Sequence, residues 1–340
     1  MKIVVLSGGL SPERDVSLSS GSLIANALID KGHDVYLLDV LIGSEKKFEE
    51  ITFLNNKGDV RYNFTVPSEE PDLNALKKQY PELIGKNVID ICKKTDIVFI
   101  ALHGSIGENG QLQSLFDLNS VKYTGSGYIG CMLAMDKDIS KKAAKHEGIP
   151  TPNWKLFSLD EYTIDQICTE VSVPCVVKPL SCGSSVGITI PKTNGELIQS
   201  LQLAQKYEQQ VLIEDMITGR EFSCGVLDGK ALPVIEIIPK QGFYDYKNKY
   251  QKGLTSEVCP AEIDQVLEVK IREYSVKIHK ALRLGYYSRS DFIVREDGLV
   301  FYLETNTLPG MTPTSLLPQE AHVSGISYNE LCEKIVCHPC

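Results

Sequence analysis

No apolar run in this 340-residue chain approaches the roughly 20 residues that a membrane-crossing helix needs. Positive charge is also scarce. Lys and Arg number 35 against 44 Asp and Glu, a net charge of -9, which argues against nucleic acid or an anionic membrane as partner. The ten cysteines show no framework spacing, so a reducing cytoplasm is expected rather than a disulfide scaffold. The opening stretch MKIVVLSGG is too short in apolar residues for a signal-peptide core and runs straight into glycines. Gly8-Gly9 lacks the glycine spacing of a dinucleotide fingerprint, and the 183–187 loop lacks the Lys-Ser/Thr of a Walker loop. What is present is ordinary for a globular protein, 43% hydrophobic and 23% charged, in a chain long enough for two or three domains.

Residues 2–6 read as a buried strand, residues 17–32 as a helix with Ser17 as candidate N-cap and Gly32 as stop, and residues 34–40 as a second strand, giving a βαβ unit. Residues 43–90 are polar and weakly periodic. A further buried strand at 96–102 delivers His103-Gly104 at its carboxyl end, where open α/β sheets gather ligands. A second α/β segment begins near Tyr123. It carries Met135-Asp136-Lys137 on a helix, then a strand ending in Lys178-Pro179, the small-residue loop Gly183-Ser184-Ser185-Val186-Gly187, and another strand at 188–190. Such a hairpin tip offers backbone N–H groups and hydroxyls to phosphates. A third segment begins with residues 210–214, apolar and then acidic, and continues as a strand-edge linker through Met216 and Ile217. The aromatic and basic loop 242–250 has the character of a lid. A long helix capped by Asp264 and stopped by Gly285 follows. The tail Cys337-His338-Pro339-Cys340, with Cys332 upstream, is expected to be a frayed terminus rather than a zinc site.

The most informative stretch is 286–315. Apolar runs at 292–294 and 299–303 flank Arg295-Glu296-Asp297-Gly298, a strong hairpin signal. Antiparallel pairing about that turn brings Asp291 near Glu304 and Asn306, with Arg289 beside them. Two carboxylates and an amide oxygen suit magnesium, which shares its shell with substrate phosphates.

Lys137, Lys178, the GSSVG loop, Glu214 to Glu221 and the set Asp291, Glu304 and Asn306 occur in the order of an ATP-grasp ligase. SPERDVSLSSG at 11–21, LHGSIGENGQLQ at 102–113 and NTLPGMTPTS at 306–315 narrow the likeness, and from Lys2 to about Pro318 the chain resembles the D-alanine–D-alanine ligases. The resemblance implies an α/β (α+β) ATP-grasp fold of three domains with ATP between the central and C-terminal ones. Residues 1–126 would be the Rossmann-like substrate domain, 127–217 the central domain and 218–340 the C-terminal domain. It implies ATP-dependent joining of two D-alanines through an acyl phosphate, in the cytoplasm, by a homodimer that uses two magnesium ions, with manganese as substitute. D-Ala–D-Ser or D-Ala–D-Lac ligation and a nucleotide-binding regulator without chemistry are the alternatives. By the same resemblance Lys137, Lys178 and Lys249 would meet ATP phosphates, Glu214, Met216 and Ile217 the adenine, and Glu221 the ribose. Asp291, Glu304 and Asn306 would hold the metal. Glu13, Ser184 and Tyr250 would form a hydrogen-bonded set over the substrates, Arg289 and the Gly310 N–H would face the oxyanion, His103 the first substrate, and Ser315 with the Leu316 N–H the second. The chain departs from the family in Cys182, where an acidic residue is common, and in Ser288 and Ser290, where small and β-branched residues are expected.

Overall fold

The computed structural model describes residues 1–67, 71–183, 186–240 and 254–340. Strand β1 (Lys2–Ser7) is a continuous apolar run because both its faces are covered. It pairs in parallel with β2 (Asp34–Asp39) and β3 (Ile97–Ile100). The connecting helix Arg14–Asp30 starts earlier than the sequence predicts, with Glu13 rather than Ser17 at its N-cap. Ser17 lies inside the helix, where its hydroxyl donates to the Ala101 carbonyl at 2.7 Å and accepts from the Gly8 N–H at 2.8 Å. A hydroxyl that finds buried partners so close to the sheet has no need of the capping position. The weakly periodic region contains the short helices Leu73–Gln79 and Val88–Lys93.

The second sheet is antiparallel, with β4 (Trp154–Ser158) and β5 (Cys175–Pro179) on either side of β6 (Gln210–Asp215). Phe157, Val177, Leu201 and Ile213 fill its core against helices Ile164–Glu170 and Asn194–Ala204. The strand expected at 188–190 reduces to one antiparallel bridge between Val177 and Thr189. A single bridge is all that so short a segment gains beside the loop.

The third sheet runs β10-β9-β7-β11-β12, with β8 (Lys230–Ala231) added to β7 (Arg220–Leu227). Its other strands are β9 (Ile235–Pro239), β10 (Thr255–Val258), β11 (Tyr287–Val294) and β12 (Val300–Asn306). Phe222, Phe292 and Tyr302 form its core, joined by Ile271 and Ile278 of helix Gln265–Ala281 and by Ala144 of helix Lys137–His146. Asp264 caps the former as its sequence position predicts, accepting the Leu267 N–H at 2.9 Å. Gly298 takes φ +80 in the turn between β11 and β12, which is why Asp-Gly stands there.

Helices Leu316–Val323 and Tyr328–Val336 return to the first sheet, and Leu317, Leu331 and Ile335 complete its core. The tail is docked rather than frayed. The His338 ring stacks on Tyr286 with centroids 4.1 Å apart, and the Cys340 N–H donates to the Tyr123 carbonyl at 2.9 Å. Stacking and a backbone hydrogen bond hold a segment that composition alone left loose. Among the described residues no group of three or more His, Cys, Asp and Glu side chains is placed to hold a metal ion.

Glu320, on the first of these two helices, is fully buried and accepts the Gly225 N–H at 2.8 Å, while its Oε1 has no partner among the described residues. Burial holds its carboxyl well above the ordinary range, against the pull of nearby Arg289. The folded chain therefore holds this proton more tightly than the unfolded chain, and stability falls as pH rises from the ordinary glutamate range through the raised folded value. Melting temperature measured against pH is expected to show that fall, and Glu320→Gln, which keeps the acceptor, is expected to flatten it. An unchanged slope in the variant would assign the pH dependence elsewhere.

Candidate active site

The second and third sheets face each other across a cleft of about 440 Å³. Lys178, Glu214, Met216, Ile217 and Glu221, five residues picked out by sequence for the nucleotide, all line it, together with Asp291 and Glu304. Its other walls include Val176, Ile188, Ile190, Ile293 and Leu303, an apolar slot suited to a flat ring. Val176 and Glu214 are direct cross-strand partners in β5 and β6, so wall and carboxylate share one face.

The Lys178 ammonium pairs with Glu214 Oε1, and Lys141 Nζ meets Glu214 Oε2 at 2.7 Å. Burial tends to lower the pKa of Lys178, but Glu214 and Glu304 outweigh it and the pKa lies above the usual lysine value. For Lys141 burial wins over Glu214, and its pKa is pushed down to about 8. Burial likewise tends to raise Glu214, but the two lysines hold it below the ordinary range. Sequence reading missed Lys141. The available signal was its place one helical turn after Lys137, on the same face. Lys137 Nζ donates to the Cys182 carbonyl at 2.6 Å, at the entry to the 183–187 loop, and burial lowers its pKa. The main chain, not the side chain, of residue 182 makes this contact, so a cysteine there removes no partner from Lys137.

At the inner end of the cleft β11 and β12 pair Arg289 with Asn306 and Asp291 with Glu304, with an irregularity after Asp291. Arg289 grips Asp291 through two hydrogen bonds, Nε to Oδ1 at 3.0 Å and Nη2 to Oδ2 at 2.8 Å. Ser223 and Asn306 also donate to Asp291, at 2.6 and 3.1 Å. Hard oxygen donors from Asp291, Glu304 and Asn306 fit magnesium. With only two carboxylates in the set, a cation here would leave positions open for water or phosphate oxygens. Ser288 and Ser290 project to the other face. There Ser288 meets His279 Nδ1 at 2.7 Å and Ser290 meets the Thr305 hydroxyl at 2.8 Å, so both hydroxyls have buried polar partners that the expected small and β-branched residues would not need.

The substrate end is assembled from three distant segments. Glu13 is buried at the start of its helix. Its N–H donates to the Ser11 hydroxyl at 3.1 Å, and that hydroxyl donates to the His103 carbonyl at 2.8 Å. A Cβ added at Gly104 would lie 3.1 Å from the Glu13 carboxylate and one at Gly183 3.8 Å, so the 183–187 loop begins beside Glu13. The His103 ring lies between Ser20 at Nε2 and the Leu308 carbonyl at Nδ1, each 3.3 Å away. Burial lowers its pKa despite nearby Glu13, which favours the neutral ring. Glu108, also missed by sequence, accepts the Gly104 N–H at 2.6 Å and the Leu308 N–H at 3.4 Å, and burial with neighbouring Glu13 raises its pKa to about 7. The Ser315 hydroxyl turns back to Thr312, 3.1 Å from its N–H, instead of capping its own helix. A Cβ at Gly310 would meet that hydroxyl at 2.9 Å, so glycine is required for the close approach. Ser184, Lys249 and Tyr250 lie outside the described residues.

A cleft clasped between two antiparallel sheets, with Lys178 on one and a carboxylate–amide–arginine set on the other, defines an ATP-grasp ligase. Residues 2–126 match the family model described as D-ala D-ala ligase N-terminus, and residues 143–337 the one described as D-ala D-ala ligase C-terminus. The chain is similar to a D-alanine–D-alanine ligase of Pediococcus pentosaceus, 43% identical over 99% of this chain and 97% of that protein. It is also similar to one of Aquifex aeolicus, 39% identical over 99% of this chain and 100% of the other. Among solved structures, a Bacillus anthracis D-alanine–D-alanine ligase complexed with ATP superposes with a TM-score of 0.73, at 27% identity over 99% of this chain and 96% of that one. The VanG D-Ala:D-Ser ligase of Enterococcus faecalis superposes with a TM-score of 0.75, at 27% identity over 99% and 98%. The chain belongs to the D-alanine–D-alanine ligase family.

Proposed function

We propose that this chain joins two D-alanine molecules at the expense of ATP, for bacterial peptidoglycan precursor synthesis, through an acyl phosphate. One observation carries the reading: a single hairpin, β11–β12, presents Asp291 and Glu304 to the nucleotide cleft and Arg289 beside them, toward the substrate end. A carboxylate is a poor nucleophile, so positioning and charge neutralisation supply most of the rate. In this division of labour Lys137, Lys178 and Lys249 hold the phosphates, Glu214, Met216 and Ile217 the adenine, and Glu221 the ribose. Asp291, Glu304 and Asn306 hold magnesium, which when bound screens the charge of the transferring phosphoryl group. Glu13 takes the ammonium of the first D-alanine, and Ser184 and Tyr250 close the set around it, with His103 alongside as a neutral ring that orients rather than titrates. The second amino acid docks its carboxylate on Ser315 and the Leu316 N–H, at a helix start that favours an anion. Its amine attacks the acyl carbon, the carbonyl oxygen becomes an oxyanion facing Arg289 and the Gly310 N–H, and phosphate leaves as the amide forms.

Segments 1–126, 127–217 and 218–340 are the proposed domains for first substrate, nucleotide walls and catalytic hairpin. The family resemblance also supports a cytoplasmic homodimer, which sedimentation would test. The test of the activity itself is phosphate release from ATP and magnesium on adding D-alanine; no release with a folded, ATP-binding chain overturns the reading.

The likeness to VanG gives D-serine a specific claim on the second site. A tyrosine at 250 goes with dipeptide formation in the family, and D-alanyl-D-alanine is the expected main product. With equimolar D-alanine, D-serine and D-lactate, mass spectrometry is expected to show that dipeptide, and Tyr250→Phe is expected to gain the D-lactate ester while keeping some dipeptide. A dominant D-Ala–D-Ser product from the unaltered chain would move the specificity, since an apolar pocket rejects an added hydroxyl poorly.

A further inference from the structure

Lys141 does not line the nucleotide cleft, yet its ammonium joins the two walls. It donates to Glu214 on β6 and to the Thr151 hydroxyl, each at 2.7 Å. Thr151 in turn donates to the Tyr302 carbonyl of β12 at 2.9 Å, and the Trp154 ring of β4 lies 5.2 Å from the ammonium. The side chain is 1% exposed, and the Glu214 carboxylate it meets 2%. The other oxygen of Glu214 takes Lys178, which does line the cleft.

Two ammonium groups thus share one carboxylate in a place where water is excluded and charges interact strongly. Two positive charges against one negative leave these three groups at +1, and the ammonium that lines the cleft is that of Lys178, beside Glu214. Without Lys141 the remaining pair would be neutral, and Glu214 would be left with Lys178 as its buried counterion. An ammonium in such a pair has little charge to offer a phosphate, because the exchange would strip a buried carboxylate of its counterion.

We propose that Lys141 is a positioning residue that neutralises Glu214 and so leaves the charge of Lys178 to the nucleotide phosphates. The proposal rests on reading the cleft as the ATP site. It differs from a packing role in one respect: the need for Lys141 disappears when Glu214 no longer carries a charge.

The experiment is calorimetric titration of ATP into the full chain and its variants, a readout that needs no turnover. Lys141→Met is expected to weaken ATP binding about tenfold, whereas in a Glu214→Gln background the same substitution is expected to change it less than about twofold, because coupled groups are non-additive. The KM for D-alanine is expected to stay within about twofold in Lys141→Met, since uniform binding lost at one subsite does not reach the other. Glu214 keeps Lys178 as counterion in the single variant, which favours folding; Lys141→Gln repeats the comparison if methionine is not accommodated. Equal loss in both backgrounds, or ATP affinity unchanged in the single variant, would overturn the proposal. Failure of the ligase reading would show separately, as absence of phosphate release by the unaltered chain that still binds ATP.

Discussion

Asp291→Asn is expected to fold and to lose activity by about a hundredfold or more, the scale of removing one preorganised electrostatic contributor. Asparagine keeps the shape of aspartate and an oxygen that accepts from Ser223 and Arg289 Nε, and the backbone pairing of β11 with β7 and β12 holds the hairpin, although the amide nitrogen cannot accept from Arg289 Nη2 and Asn306. The larger loss is a full negative charge in the proposed metal set. Steady-state phosphate release across a magnesium series checks it, with circular dichroism as the control on folding. Turnover close to that of the unaltered chain, with the same magnesium dependence, would remove Asp291 from the metal site.

Arg289→Met is expected to have a comparable effect through a different step. Its guanidinium is 11% exposed and oriented by the two hydrogen bonds to Asp291, which suits it to the proposed role of a rigid donor to the oxyanion. Removing one such donor costs about 10²- to 10³-fold in kcat. ATP affinity is expected to change far less than kcat, because the interaction develops only as negative charge grows on the reacting carbonyl oxygen. A kcat within tenfold of the unaltered chain would shift the oxyanion role to the Gly310 N–H. Equal losses in ATP affinity and kcat would point to a ground-state phosphate contact instead.

The two variants differ in what magnesium can restore. Excess cation is expected to recover part of Asp291→Asn, since Glu304 and Asn306 still offer oxygens, and none of Arg289→Met.

Much of this site was readable from short stretches. The Asp-Gly turn set the register of β11 and β12 from Val294 to Phe292 and so brought Asp291 near Glu304, but the direct pairing of Asp291 with Glu304 and of Arg289 with Asn306 comes from the register shift after Asp291, which the sequence did not announce. The βαβ start and the apolar strand before His103 followed from runs that only buried parallel strands tolerate. Where the reading slipped, side chains had found non-local partners. Ser17 looked like a cap because it precedes an apolar helical pattern, but its hydroxyl serves Gly8 and Ala101 instead. The cysteine-rich tail looked loose because stacking on Tyr286 leaves no mark in local composition.

By itself, then, the chain's local pattern determined the hairpin and the parallel start of the fold, which depend on residues a few positions apart, and the order of short motifs along the chain carried the family likeness and, through it, the cleft-lining groups. Tertiary structure decided which charges meet. Lys141 and Glu214 are 73 residues apart, and Glu108 reaches Leu308 across 200. No periodicity links such positions, and their pairing exists only after three sheets have packed. Burial then sets their chemistry, lowering Lys141 to about 8 and raising Glu108 to about 7, because the same side chain in water would bear its charge without penalty.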